Sequence, residues 1–312
     1  MDIRPFQESD RRAVVALLND GLPWYRQFTA EDMLAEEQTS GNQEVTLRLV
    51  VGDPVIAFME VVDCTTSAES QAGVCTLVMI VATQRRNQGI GSTLFEHTLA
   101  FAHERNAHTI EAWFYQYQPD EPGIPFLQRR GFVEQARRQK AYCNLTAFNA
   151  AHLKELERSL QAQGIRFLSY GDLPPTPENR QRLFELLVAT GRLTESAAFE
   201  NWEPFILHTD WSTNILILAE FDGSWTGLSH IDPFNLKSGV AHTRFTGTLT
   251  AYRNRGIATV LKARAMIEAR QRGYIALTTS NRVDNAPILA ANSKVGGFEP
   301  GPIELTYVRH LR

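Results

Sequence analysis

Arg86-Asn87-Gln88-Gly89-Ile90-Gly91 and Arg253-Asn254-Arg255-Gly256-Ile257-Ala258 are two copies of one glycine-rich turn. Each follows an apolar, strand-like run (74–82 and 241–248) and leads into a helical pattern (92 to about 106, and 259 to about 272). A single short glycine motif proves little. The same motif in the same setting, 167 residues apart (256 − 89), implies a duplicated domain with a duplicated anion site. At the same offset Leu94 falls on Leu261, Ala102 on Ala269 and Arg105 on Arg272.

Working outward, both halves show one order of elements. In the first, a short strand (3–6) precedes a helix starting after Ser9 and Asp10. Strand-like runs 44–51 and 55–62 meet at Gly52-Asp53-Pro54, which is turn chemistry. After the turn and its helix come strand 109–115, the segment Arg130-Gly131-Phe132 and a closing strand, 138–145. The second half runs through strand 166–170, helix 177–189, a hairpin around Asp222-Gly223, and strand 275–280. It ends with helix 287–294, Gly296-Gly297-Phe298 and closing strand 304–311. Residues 147–164 have helical spacing and read as a connecting helix. The expected domains are therefore 1–146 and 147–312.

A chain of 312 residues suits two domains of roughly 150 each. With 43% hydrophobic and 21% charged residues, it has an ordinary globular composition. A net charge of −4 argues against a dedicated nucleic-acid or anionic-membrane surface. Cys64, Cys75 and Cys143 are scattered and lack metal-ligand spacing, which suits a reducing compartment and no metal. Charge at the start, where a signal peptide needs apolar residues, completes the expectation of a cytoplasmic protein.

A buried strand entering a glycine turn and then a helix points successive N–H groups, and the positive end of the helix dipole, at one spot. The expected ligand is a phosphate-bearing anion. Neither a Gly-Lys-Ser/Thr phosphate loop nor a three-glycine dinucleotide pattern is present. The form Arg-x-x-Gly-x-Gly/Ala, with a later Gly-Phe in both halves, resembles the acetyl-CoA loop of the GNAT superfamily of N-acetyltransferases. The second half is also similar to the tandem, mycothiol synthase-like members. The resemblance implies an α/β fold: two tandem domains, each a mixed, largely antiparallel sheet flanked by helices. It also implies acetyl-CoA as donor.

Carried over by residue, the resemblance places the pyrophosphate among the amides of Gln88, Gly89, Ile90, Gly91 and Ser92. In the second copy these are Arg255, Gly256, Ile257, Ala258 and Thr259. Arg86 and Arg253 head the loops, and Val81 and Thr248 lie where the strand meets pantetheine. The family's closing segment has an asparagine seven residues before a tyrosine acid; here Asn285 and Asn292 hold those positions, and Pro119 and Phe126 hold them in the first half. The family's glutamate base, six residues before the pantetheine contact, corresponds to His242 and to Cys75.

His242 is thus the first choice of base. His230 and Asp232, two apart on a strand and so on one face, form a second candidate pair. Glu60, Asp63 and Glu111 are further carboxylates, and Tyr142 and Tyr307 are substitute acids. The expected reaction is direct attack of a primary amine, on a small molecule or peptide, on acetyl-CoA in a ternary complex. The second half is expected to be the catalytic one. The alternative is an acyl-CoA-binding sensor or scaffold without turnover. Trp24, Tyr25, Trp202 and Trp211 are candidate linings of the acceptor cleft, and the sequence leaves the oligomeric state open, a monomer being compatible with the pseudo-dimeric chain.

Overall fold

The computed structural model describes residues 2–20, 22, 27, 29–34, 45–63, 73–117, 121–191, 214–235 and 239–311. Cys64, Pro119 and the tryptophans and tyrosine at 24, 25, 202 and 211 lie outside these residues. The described chain forms two compact units: 1–137 with 304–312, and 138–303.

The first unit is built on strands β1 (Ile3–Pro5), β2 (Val45–Val51), β3 (Ala57–Asp63), β4 (Val74–Val81) and β5 (Thr109–Gln116), adjacent in that order. All neighbours are antiparallel except β4 and β5, which are parallel. Val, Leu, Ile and Met dominate β2 to β4, as suits strands covered on both faces. Helix α1 (Arg11–Asn19) lays Val14 and Val15 on Val50 and Phe58. Helix α2 (Ile90–Glu104) follows the first glycine turn and buries Ile90, Leu94, Phe95, Thr98, Phe101 and Ala102, an apolar stripe at helical spacing. A short helix, α3 (Gly123–Gln128), precedes Phe132, which is buried beside Phe95.

Strand β6 (Val133–Asn144) begins in the first unit, but residues 138–144 pair antiparallel with a strand of the second. That unit opens with α4 (Lys154–Ala162), β7 (Arg166–Ser169) and α5 (Pro177–Ala189). Its meander follows: β8 (Ile215–Phe221), β9 (Ser224–Asn235) and β10 (Val240–Thr248). Helix α6 (Ile257–Gln271) leads to β11 (Ala276–Arg282), parallel to β10 and flanked by β6. Helix α7 (Ala286–Val295) and β12 (Phe298–His310) end the chain.

The last stretch of β12 returns to the first unit beside β5. There Leu311 N–H donates to the His108 carbonyl at 2.8 Å, and Thr109 Oγ1 bonds His310 Nδ1 at 3.0 Å. Each unit therefore completes its sheet with a strand from the other half of the sequence. Among the described residues no helix is long and apolar enough to cross a membrane.

Without 304–311, β5 is left with an unpaired edge. A fragment ending at residue 146 is expected to aggregate or to melt below the full chain. Co-expression with 147–312 should restore a soluble species, read by size-exclusion chromatography and circular dichroism.

Candidate functional site

The two glycine turns share one backbone. Asn87 and Asn254 sit at φ 60° and 62°, and Gly89 and Gly256 at 85° and 87°. The residue heading each loop is extended, with Arg86 at ψ 160° and Arg253 at 162°. Each guanidinium reaches back to its strand. Arg86 Nε donates to the Val81 carbonyl at 3.1 Å, and Arg253 Nε to that of Thr248 at 3.3 Å. Both turns thus deliver a helix N-terminus, with its unpaired N–H groups, to the end of a central strand.

Both central strands also part from their parallel neighbours. Pairing of β4 with β5 runs from Val74–Thr109 to Leu77–Ala112 and stops, although both strands continue. Pairing of β10 with β11 stops at Thr243–Thr279, well before β10 ends at Thr248. A wedge with strand edges on either side opens toward each glycine turn.

The two copies differ in access. The first turn is exposed: Gly89 has open space where a Cβ would stand, and Ser92 is exposed. In the second copy, a Cβ on Gly256 would stand 3.0 Å from Leu156 of α4. Thr259, the counterpart of Ser92, is buried, and its N–H donates to Gly256 O at 3.1 Å. Helix α4 is held there by Arg255 to Gln163 at 2.9 Å and Arg264 to Glu157 at 2.6 Å. At the second turn Gly256 is half-buried against its own unit, while Arg253, Asn254 and Arg255 are exposed.

A cavity of about 1650 Å³ opens beside the first turn. It takes in β4 from Val78 to Val81, the turn, Trp113 and Tyr115 of β5 with Tyr117 just beyond it, and Phe126, Arg129 and Arg130. Its basic end is Arg85, Arg86, Arg129 and Arg130. Arg130 donates to Ser92 Oγ at 2.6 Å and to the Phe126 carbonyl at 3.0 Å, lying 3.6 Å over the Phe126 ring. Partial burial holds its pKa below the usual arginine value. At the other end, Glu60 is ion-paired with Arg48. Backbone donors and arginines at one end, an open strand edge in the middle and a carboxylate beyond fit an extended pyrophosphate thioester meeting an amine.

Where α2 meets α3, Phe95 packs edge-on against Phe126 (6.5 Å) and Phe132 (5.8 Å). The corresponding positions of the second unit are Lys262, Asn292 and Phe298. Lys262 is wholly buried, donates to Asn292 Oδ1, and lies 4.9 Å from the Phe298 ring. Desolvation pushes its pKa down to about 7. Burial likewise pushes the nearby Cys143 thiol up to about 11, so it stays protonated. Phe126 also explains Gly91: a Cβ there would meet the ring at 3.1 Å.

The sequence-level acid and base candidates of the second unit meet different fates. His242 pairs with Thr278 through Nδ1 at 2.9 Å in the closed part of the wedge. Desolvation, then Lys140 and Arg244, pushes its pKa down to about 3. It therefore stays neutral near pH 7, held in the paired part of the sheet and short of the open strand edge. His230 and Asp232 are not brought together: His230 bonds Asn214 at 2.8 Å and Asp232 binds Arg244 at 2.6 Å. Asn285 caps α7, accepting from Ile288 N–H at 3.4 Å. Asn292 is the acceptor for Lys262.

In the first unit, Tyr307 is buried and bonded to Glu134, with its pKa raised chiefly by burial, and it lies apart from the cavity. Asp63 is buried opposite Cys75, and Glu111 accepts from the Trp113 indole. Tyr142 stands on β6 opposite Thr278 of β11 in the second unit. Among the described residues, no group of three or more His, Cys, Asp or Glu is placed to hold a metal ion. Trp113, Tyr115 and the Lys262 substitution escaped the sequence reading. Only Lys262 had a visible signal there, as the polar counterpart of Phe95 on an apolar helix face.

The chain belongs to the acetyltransferase (GNAT) family, whose profile matches residues 12–132 and 181–291. Members of this family transfer acetyl groups from acetyl-CoA. No curated protein matches the chain by sequence. Among solved structures, it is similar to a GCN5-related N-acetyltransferase from Sphaerobacter thermophilus, at 15% identity and TM-score 0.75, covering 100% of this chain and 96% of that one. A tandem GNAT protein from the clavulanic acid biosynthesis pathway aligns at 16% identity and TM-score 0.69, over 99% and 98% of the two chains. A GNAT-family acetyltransferase from Colwellia psychrerythraea aligns over the full length of both, at 12% identity and TM-score 0.59. These likenesses establish the tandem fold.

Lys262 links the second unit to pH. Its folded pKa of about 7 lies below the ordinary lysine value of 10.5. The unfolded chain therefore binds the extra proton across that window, and stability rises with pH through it. The melting temperature is expected to climb from pH 7 toward 10 relative to Lys262→Met, which lacks the titrating amine. Parallel slopes for the two proteins in calorimetry would refute this.

Proposed function

We propose that the first unit is the N-acetyltransferase site, and that the chain holds one acetyl-CoA, at the Gly89 turn. The observation that carries this reading is the parting of β4 from β5 after Leu77–Ala112, in one cavity with an exposed glycine turn. Pyrophosphate oxygens accept from the turn amides, near Arg85, Arg86 and Arg129. Pantetheine pairs with the free edge of β4, and a backbone N–H near Val81 polarises the thioester carbonyl.

The acceptor arrives as an ammonium and must lose a proton before attack. Glu60, directed by Arg48, receives it, directly or through water. The amine nitrogen then bonds to the carbonyl carbon, the C–S bond breaks with its electron pair on CoA sulfur, and the nitrogen gives up its second proton to that thiolate or to solvent. A thiol pKa of about 8.5 makes that thiolate a tolerable leaving group, which suits Phe126 at the family's tyrosine position. The acceptor is a primary amine of a small molecule or peptide.

Phe126 also supports a second reading, an acyl-CoA sensor without turnover. The two are separated by thiol release from acetyl-CoA across a panel of amines: tight binding with no release supports the sensor.

Calorimetric titration is expected to give one acetyl-CoA per chain. Ser92→Glu adds a carboxylate at the anion site on an exposed first turn, where the helix tolerates it. It is expected to weaken binding at least about tenfold while leaving the melting curve in place. Two cofactors per chain, or unchanged affinity in Ser92→Glu, would overturn the assignment.

A further inference from the structure

The face of the first sheet that ends in the cavity has an order of its own. Pairing aligns Arg48 with Glu60 and Glu60 with Val78, so these three side chains form a row on one face. One pair earlier, Thr76 aligns with Glu111, so Trp113 and Tyr115 continue the same face on β5. Toward β1, this face is covered by α1 and Phe6, which pack on Val50, Phe58 and Ile80. The row at Glu60 instead lies in the cavity.

That row is apolar where a body would rest and anionic where a cation would sit. Val78 is 37% exposed and Trp113 58%, both unusual for their size and both lining the cavity. The indole N–H of Trp113 is bonded to Glu111, which holds the ring. Glu60 is held by Arg48, whose guanidinium lies 5.8 Å from the Phe6 ring centroid. A carboxylate and an indole face are both good partners for an ammonium. Between them, the Val78 side chain presents apolar surface.

Resting on the reading that this cavity acetylates amines, we infer that its acceptor is a primary amine on a flat, apolar, aryl-sized body. The ammonium lies at Glu60 and the body against Val78 and Trp113.

The test compares 2-phenylethylamine, spermidine and glucosamine as acceptors, with acetyl-CoA as donor. In the wild type, kcat/KM for 2-phenylethylamine is expected to exceed that of each of the others by at least about tenfold. Trp113→Ala is expected to lower the ratio of 2-phenylethylamine to spermidine by about tenfold, and Trp113→Phe to restore most of it. Glucosamine or spermidine equal to the aryl amine, or a ratio unmoved by Trp113→Ala, would overturn the inference.

Binding of 2-phenylethylamine to the CoA-loaded protein, followed by calorimetry, separates the two layers of the argument. Saturable binding weakened by Trp113→Ala, without turnover, upholds the aryl-amine site and overturns the catalytic reading. Absence of binding while acetyl-CoA still binds overturns the aryl-amine site itself.

Discussion

Backbone hydrogen bonding is the constraint on which the rest of the first unit depends. Past Leu77 and Ala112, two strands run on without pairing to each other, and each keeps N–H and C=O groups on the inner edge. Such groups are costly to leave unmet once water is excluded, so the wedge suits an extended ligand that supplies amides of its own. Everything useful sits around that opening. The turn beyond Val81 brings helix amides to its mouth, the arginines bring positive charge, and the β3–β5 face brings a carboxylate and an indole. A sheet that zipped fully would have no place for any of them.

Duplication preserved this scaffold and then divided its chemistry. The Phe95, Phe126 and Phe132 cluster of the first unit is bulk without charge. Its counterpart puts a lysine where desolvation opposes an ammonium, and supplies one amide oxygen and one ring face in return. Such a group weakens a core and persists only because the surroundings hold it. With Leu156 of α4 beside Gly256, the second unit differs from the first at its turn as well as in its core.

Much of this was legible in the residues. Gly89 and Gly256 need left-handed φ, Asn87 and Asn254 tolerate it, and strand-turn-helix patterning located both turns before any coordinates. What failed was chemistry set by burial. His242 has the residue type of a base, but it is buried and bonded to Thr278 where β10 and β11 are still paired. Leu156 lies 100 residues (256 − 156) before the glycine it stands beside, and nothing local marks that contact. The exchange of β6 and β12 was equally hidden, because either closing strand has the alternation to complete either sheet. Glu60 was visible as a carboxylate on a strand; only cross-strand register shows that it shares a row with Val78 and lies beside Trp113.

The second turn also changes what a glycine motif can prove. Its φ angles match those of the first turn, 62° against 60° and 87° against 85°, although Leu156 stands beside Gly256 and open space beside Gly89. The conserved geometry therefore has a cause apart from the ligand. The extended arginine ties its guanidinium to the last carbonyls of the strand, and the asparagine and glycine reverse the chain in two steps. The helix can then start against the same sheet it has just left. That reversal is needed to fold the unit whether or not an anion ever binds. A second copy of the motif is thus evidence for a second copy of the fold, whatever either turn binds.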